Sequence, residues 1–288
     1  MTAFSADWLA LREPADRSAR SSRLTASIAD ALAGADAVRA VDLATGTGAN
    51  VRYLAEHLPA RQDWLLVDHD PVLLARVPER MRAWAEPRGY RAKVETHSLV
   101  LEGERLTCRF QTRCMNLAAI DDAALFSGRT LVTASALLDL VSEQWLRTLA
   151  ARCRENGSSV LFALIYDGRI RCTPEEPEDE IIQDLVNRHQ HTHKGFGLAV
   201  GPDAARQAEQ CLASVGYQVR CEPSDWLLSA GSGDLQQQLI DGWARAAVDI
   251  APDRAASIQS WQSRRLAHVA MDQSQLVVGH QDLAAWLP

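Results

Sequence analysis

The stretch "VDLATGTGAN", residues 41–50, follows the helical pattern "SSRLTASIADALAG" and precedes "VRYLAEHLP", which places Gly46 and Gly48 at a strand-to-helix turn. Glycines at the carboxyl end of a parallel strand let the backbone approach a ligand closely, and the next helix aims its unpaired N–H groups at the same place. Such a turn is a nucleotide-type crevice. A dinucleotide fingerprint needs a third glycine where this chain has Val51, and a phosphate loop needs a Gly-Lys-Ser/Thr ending that is absent. Asp68 closes the next apolar run about 20 residues further on, where an acidic group captures ribose hydroxyls.

Outward from this turn, short apolar runs alternate with helical stretches. "AVRAVDL", "DWLLVD", "RLTCRFQTR", "RTLVTAS" and "SSVLFALIY" read as five strands, the third preceded by a hairpin arm at "KVETHSLVL". "SEQWLRTLAARCREN" reads as a helix stopped by Gly157, and residues 15–34 as one amphipathic helix. In the second half, "DAARQAEQCLASVG" is helical, "YQVRCE" and "SQLVVGH" are strands, and two further helices lie between those strands. The alternation implies an α/β class: a doubly wound sheet with a mainly parallel core and helical insertions. The expected organisation is one domain over residues 1–288. A helical cap covers 1–35, a cofactor-binding core 36–170, and insertions at 171–200 and 224–272 form a substrate lid or a dimer interface.

Composition narrows the function classes. The 288 residues, 47% of them hydrophobic, suffice for a substantial core, and 30 basic against 37 acidic side chains give a net charge of −7. No global field attracts nucleic acid, so a small-molecule substrate is expected, with a homodimer as one use of the second insertion. No apolar run is long enough to span a membrane and the charged N-terminal stretch does not read as a signal peptide, so the expected location is cytoplasmic. Six cysteines without a CxxC pair argue against a zinc knuckle or a disulfide framework.

"VDLATGTGAN" followed by "LLVDHDPVLL" resembles the first two motifs of class I S-adenosylmethionine-dependent methyltransferases. That resemblance implies a seven-stranded Rossmann-like sheet with an antiparallel last strand, S-adenosyl-L-methionine as cofactor and methyl transfer to a small organic acceptor. It implies that Asp42 positions the turn and the amino-acid end of the cofactor, that Gly46 and Gly48 line the methionine moiety with Asn50 beside them, and that Asp68 binds the ribose, with His69 and Asp70 adjacent. Ala44 stands where the family pattern has its first glycine. In "RCMNLAAID", Asn116 fits the position beside the adenine amine, flanked by Met115 and Leu117; in "TASALLDLVSEQWL", Ser135 and Ala136 fit the strand end beneath the reactive methyl, with Asp139 near the next helix.

Beside that reading stand plainer ones. Asp42 can serve as a local backbone cap, Asp68 as an ordinary strand end, and His69 and Asp70 as the turn that starts a helix at Pro71. Arg20 belongs to a dense N-terminal cluster that is either an ion-paired surface helix or a closure in which Arg20 meets the methionine carboxylate. Candidate catalytic groups are Asp139, Tyr166, Asp167 and His191. His189, His191 and His193 alternate, so an extended chain would set them on one face as for a metal, but no carboxylate or thiol completes a set and no metal is expected. "KGFG" reads as a hinge, and Trp226, Trp243 and Trp261 as packing for the added helices. The alternatives are another reaction on S-adenosylmethionine, such as carboxyl removal or cyclisation, a non-catalytic partner subunit, or more distantly an NAD-linked oxidoreductase.

Overall fold

The computed structural model describes residues 5–96, 98–118 and 120–288. Its elements in chain order are α1 (Ala6–Ala19), α2 (Ser22–Leu32), β1 (Val38–Leu43), α3 (Ala49–Ala55), β2 (Arg61–Asp68), α4 (Pro71–Ala85), β3 (Arg91–Glu95), β4 (Ser98–Gly103), β5 (Leu106–Cys114), α5 (Ala123–Phe126), β6 (Leu131–Ser135), α6 (Glu143–Asn156), β7 (Ser159–Thr173), α7 (Asp179–Gln190), α8 (Ala204–Ser214), β8 (Gln218–Pro223), β9 (Trp226–Leu228), α9 (Gly233–Ile250), α10 (Ala255–Ala270) and β10 (Gln275–Trp286).

The sheet runs β3-β4-β5-β2-β1-β6-β7-β10-β8, with β9 on β10. Pairs from β5 through β2, β1 and β6 to β7 are parallel, while β10 runs antiparallel to both β7 and β8. The chain steps outward from β1 to β2 and β5 on one side and then returns to β6 and β7 on the other. The crevice of an open α/β sheet lies at that reversal, beyond the carboxyl ends of β1 and β6. Seven strands form the expected core; the β3–β4 hairpin and β9 bring the described sheet to ten.

Apolar residues on both faces of the parallel strands divide the core. One cluster joins them to α5, α6 and α8 through Phe126, Trp145, Leu149 and Leu212; the other joins them to α2, α3 and α4 through Ile28, Leu54, Val77 and Met81. A third cluster, which includes Leu185, Trp226, Trp243 and Trp261, packs α7, α9 and α10 on the extended half of β7, β9 and β10, with Trp8 and Leu11 of α1 against it. The expected packing role of Trp243 and Trp261 holds. Arg265, fully buried, ties α10 to the first turn of α7 through Asp179, which also accepts from Trp261 Nε1 at 2.8 Å.

Three local features differ from the sequence reading. The N-terminal cap is two helices, because Arg20 turns extended and Ser21 caps α2 by accepting from Leu24 N at 3.1 Å. β7 does not stop at Tyr166: residues 167–173 continue as strand, so the first insertion begins with β-structure that pairs with β10. The histidine segment is not extended either, since His189 lies in α7 and His191 at its C-terminal cap. The Gly157 stop is as expected, with Gly157 left-handed at φ +66°. Among the described residues, no helix is long and apolar enough to cross a membrane.

Candidate functional site

The turn after β1 is built on a buried carboxylate. Asp42 accepts from Thr45 Oγ1 at 2.6 Å and from Asn50 Nδ2 at 2.7 Å. Burial pushes its carboxyl up to about 6, opposed by those two bonds and by the Arg20 charge. Asn50 also donates to Thr133 Oγ1 of β6 at 3.1 Å, and its Oδ1 accepts from Arg20 Nη1 at 2.6 Å. Arg20 reaches this point because its Nε meets Asp282 of β10 at 3.3 Å; Asp282 in turn accepts the backbone N–H groups of Ser21 and Leu164 at 2.9 and 2.8 Å. The remaining Arg20 nitrogen, Nη2, is buried with no partner.

The glycines serve two contacts. A Cβ on Gly48, at φ +81°, would stand 2.7 Å from Met81 Cε, so this glycine lets α4 close on the sheet. A Cβ on Gly46, at φ +57°, would stand 2.8 Å from Leu9 Cδ1, so α1 lies directly on the turn. Salt bridges fasten α1 there: Glu13 to Arg52 at 2.6 Å, and Arg17 to Glu56. Ala44 adopts φ +53°, the conformation that a glycine takes at no steric cost.

Asp68 clamps the turn from the second strand. Its Oδ2 accepts from Gly46 N at 2.7 Å and its Oδ1 from Asp70 N at 3.0 Å, with His69 Nδ1 3.2 Å away. A carboxylate has about four acceptor positions, so capacity for a ligand hydroxyl is left. Asp70 caps α4 at Val72 N, 2.8 Å, as the plainer reading of this segment has it, and His69 is exposed. Met115 N bonds Asp68 O at 2.8 Å, which draws the end of β5 to that of β2; Asn116 is exposed beside it with its Oδ1 accepting from Ala118 N. Leu117 corrects the expectation of a ring-flanking residue: it is buried in the core, and its carbonyl accepts from Trp145 Nε1 at 2.7 Å.

Beyond β6 and β7 the structure sorts the catalytic candidates. Ser135 ends β6, half-buried, and a 3₁₀ turn, Leu138–Leu140, then buries Asp139, whose carboxyl is pushed up to about 6 by burial against the pull of Arg12 and Lys194. Tyr166 is corrected as a base, since its hydroxyl donates to Asn187 Oδ1 at 2.8 Å and burial pushes its pKa up. Asp167 is held by Arg169, which also grips Asp225 at 2.7 Å, so this carboxylate ties β7 to the chain entering β9. His191 is exposed, its ring against Gly201. Among the described residues no cluster suited to a metal forms.

Other groups gather there unforeseen. His280 of β10 is buried with Nδ1 unpartnered; burial, reinforced by Arg12, lowers it to about 3. Its ring centroid lies 5.0 Å from Trp226 and 6.2 Å from Tyr166, and the Arg12 guanidinium stacks 5.1 Å over Trp226. The sequence offers no period or spacing that marks His280, because the strands that bring it to Tyr166 are more than a hundred residues apart. The "KGFG" segment is pinned, not hinged: Phe196 bridges Val141 and meets Trp145 edge-on at 6.0 Å, and Val200 N bonds Val141 O at 2.8 Å.

No family model and no curated protein sequence matches this chain. Among solved structures, it is similar over 98% of its length to a cyclopropane synthase from Mycobacterium tuberculosis, covering 94% of that chain at 11% identity and TM-score 0.47. It is similar over its whole length to a Haemonchus contortus phosphoethanolamine N-methyltransferase, solved with phosphomonomethylethanolamine and S-adenosylhomocysteine, but spans only 59% of that chain, at 13% identity and TM-score 0.43. A Geobacter sulfurreducens S-adenosylmethionine-dependent methyltransferase, solved with S-adenosylhomocysteine, is covered in full at 13% identity and TM-score 0.44. Likeness at this level assigns no activity, and the fold rests on the strand order itself.

Proposed function

We propose that the chain binds S-adenosyl-L-methionine at the β1 turn and transfers its methyl group to a small organic acceptor. The observation that carries this reading is the unspent donor of Arg20, a buried guanidinium nitrogen without a partner beside Asn50 and Asp42. A buried charged donor left unsatisfied is costly, and a ligand carboxylate is its natural complement. The residues present fit the group: Arg20 and Asn50 would hold the amino-acid end, the Gly46–Gly48 turn would admit its backbone-facing side, and Asp68 would accept from ribose hydroxyls. When bound, the sulfonium supplies an activated methyl. The chain's own task is to hold the acceptor in line and keep water out.

A ligand on this turn must displace Leu9, because that side chain rests on Gly46. This same contact favours a second reading, a non-catalytic partner subunit whose turn is filled by its own helix. Isothermal titration with S-adenosylmethionine and S-adenosylhomocysteine separates the two. Micromolar binding of both is expected, and Asp68→Asn, which keeps one acceptor for Gly46 N, weakens it by about 1.5–3 kcal/mol if Asp68 bonds the ribose. No binding of either would move the partner-subunit reading to the front.

A further inference from the structure

α1 presents two stripes at helical spacing. Leu9, Glu13 and Arg17 face the β1 turn and α3, while Trp8, Arg12 and Ala15 face β9 and the third core cluster. On the first stripe the anchor is Arg52 of α3. It is buried, donates from Nη1 to Thr47 O of the turn at 2.7 Å, and donates from Nε and Nη2 to the two carboxylate oxygens of Glu13 at 2.9 and 2.6 Å. One guanidinium thus holds both the turn and the helix that covers it. Arg17 adds an ion pair to Glu56, which Arg88 shares at 2.5 Å. On the second stripe Arg12, paired with Asp16 at 2.9 Å, stacks 5.1 Å over Trp226.

The first stripe fills the space that a ligand on the turn would need. Leu9 Cδ1 lies so close to Gly46 that a single methyl there would meet it at 2.8 Å. A ligand carbon needs roughly 3.5–4 Å on either side, so nothing passes between Leu9 and the turn while α1 is seated. The helix stands in the ligand's place and not over it. Its hold on that place is weak. α1 has no fully buried residue, Glu13 and Arg17 are partly open to solvent, and Pro14 takes one donor out of the helix ladder. Its C-terminal end has a fixed point to turn about: Arg20 is extended, and both its Nε and the Ser21 N–H are bonded to Asp282.

We infer that α1 is an autoinhibitory plug: the seated helix excludes the cofactor, and only molecules with α1 lifted from Gly46 bind it. This inference rests on the reading of the β1 turn as an S-adenosylmethionine site. The apparent affinity is that of the open form reduced by the fraction of molecules that are open. A change that loosens α1 and spares the turn therefore tightens binding, the reverse of its effect on a lid that closes over its ligand. Pivoting at residues 19–20 leaves Arg20 on Asp282 and Asn50, so the donor for the ligand carboxylate stays in place. The contacts of Trp8 and Arg12 with the third cluster return the helix to its seat.

The test compares S-adenosylhomocysteine binding by the wild type, Leu9→Ala and Glu13→Gln in isothermal titration, with folding checked by circular dichroism. Arg52 is left unchanged because it also holds Thr47 O. Each substitution is expected to lower Kd about tenfold, which corresponds to about 1.4 kcal/mol. Should Glu13→Gln fail to fold, since it leaves the buried Arg52 charge without its partner, Leu9→Ala carries the test, because alanine keeps the helix. Hydrogen exchange supplies the second readout: saturating S-adenosylhomocysteine is expected to speed exchange of the α1 amides, where a closing lid would be slowed. Variants that bind no more tightly than the wild type, or α1 amides slowed or unmoved in the complex, overturn the plug and leave the cofactor reading standing. Binding by the variants and not by the wild type supports both. No binding by any of the three fails the cofactor reading itself, and the plug with it.

Discussion

At Ala44 the backbone holds φ at +53°, and Ala136, just past the end of β6, and Leu164, within β7, hold +52° and +53°. Three left-handed non-glycine residues at adjacent strands of the crevice are strain concentrated where a site is built. Ala44→Gly is therefore expected to stabilise the chain by up to about 1 kcal/mol, where the same change inside a helix would cost about as much; urea unfolding measures the sign. Asp139 makes a pH prediction. Its folded pKa of about 6 lies above the ordinary carboxyl value of 3.8, so its contribution is fully present below pH 3.8 and is lost as pH rises through about 6. Asp139→Asn is expected to leave the thermal midpoint unchanged near pH 4 and to raise stability by about 1–3 kcal/mol at pH 7.5. A gain that does not depend on pH would place the carboxylate outside the buried pocket.

Among the elements, α1 and the α7–α9–α10 layer are held by opposite means. α1 has no fully buried residue and is fastened by ion pairs and by Leu9 on Gly46, so its amides are expected to exchange hydrogen orders of magnitude faster than those of β1 and β6. Protection of α1 equal to that of β1 would rule out its opening to admit a ligand without global unfolding. The helical layer depends on Arg265, whose guanidinium is fully buried against Asp179. Asp179→Ala leaves that charge uncompensated and is expected to cost about 3–5 kcal/mol, while the double change Asp179→Leu with Arg265→Met costs much less. Denaturant titration of the three variants checks the pattern.

Across the whole molecule, one carboxylate links termini to centre. Asp282 lies near the C-terminus yet orders Arg20 and Ser21 at the start of α2 and the Leu164 amide in mid-sheet, so the site closes only when β10 is in place. A ligand that binds this assembled site stabilises the folded chain alone. S-adenosylhomocysteine at a hundred times its Kd is expected to raise unfolding free energy by about 2.7 kcal/mol, seen as a rise of several degrees in the calorimetric midpoint.

What the sequence determined is local and periodic. The run 38–43, the glycines after it and the acidic end of 61–68 dictate a buried parallel strand, a left-handed glycine turn and an acceptor beside it, because each depends on neighbours within a few residues or on one βαβ step. Strand alternation, the Gly157 stop and the Asp70–Pro71 helix start were legible for the same reason. The break at Arg20 was hidden, since the force that turns its side chain inward comes from Asp282, 262 positions away. Tyr166 and Asp167 carried the right chemistry at the right edge, but only Asn187, Arg169 and Asp225, contributed by separate segments, decide that both are occupied in holding the fold. Tertiary structure alone set His280 against Trp226, because burial and long-range contact, which no spacing encodes, are what shift a titratable group from surface to chemistry.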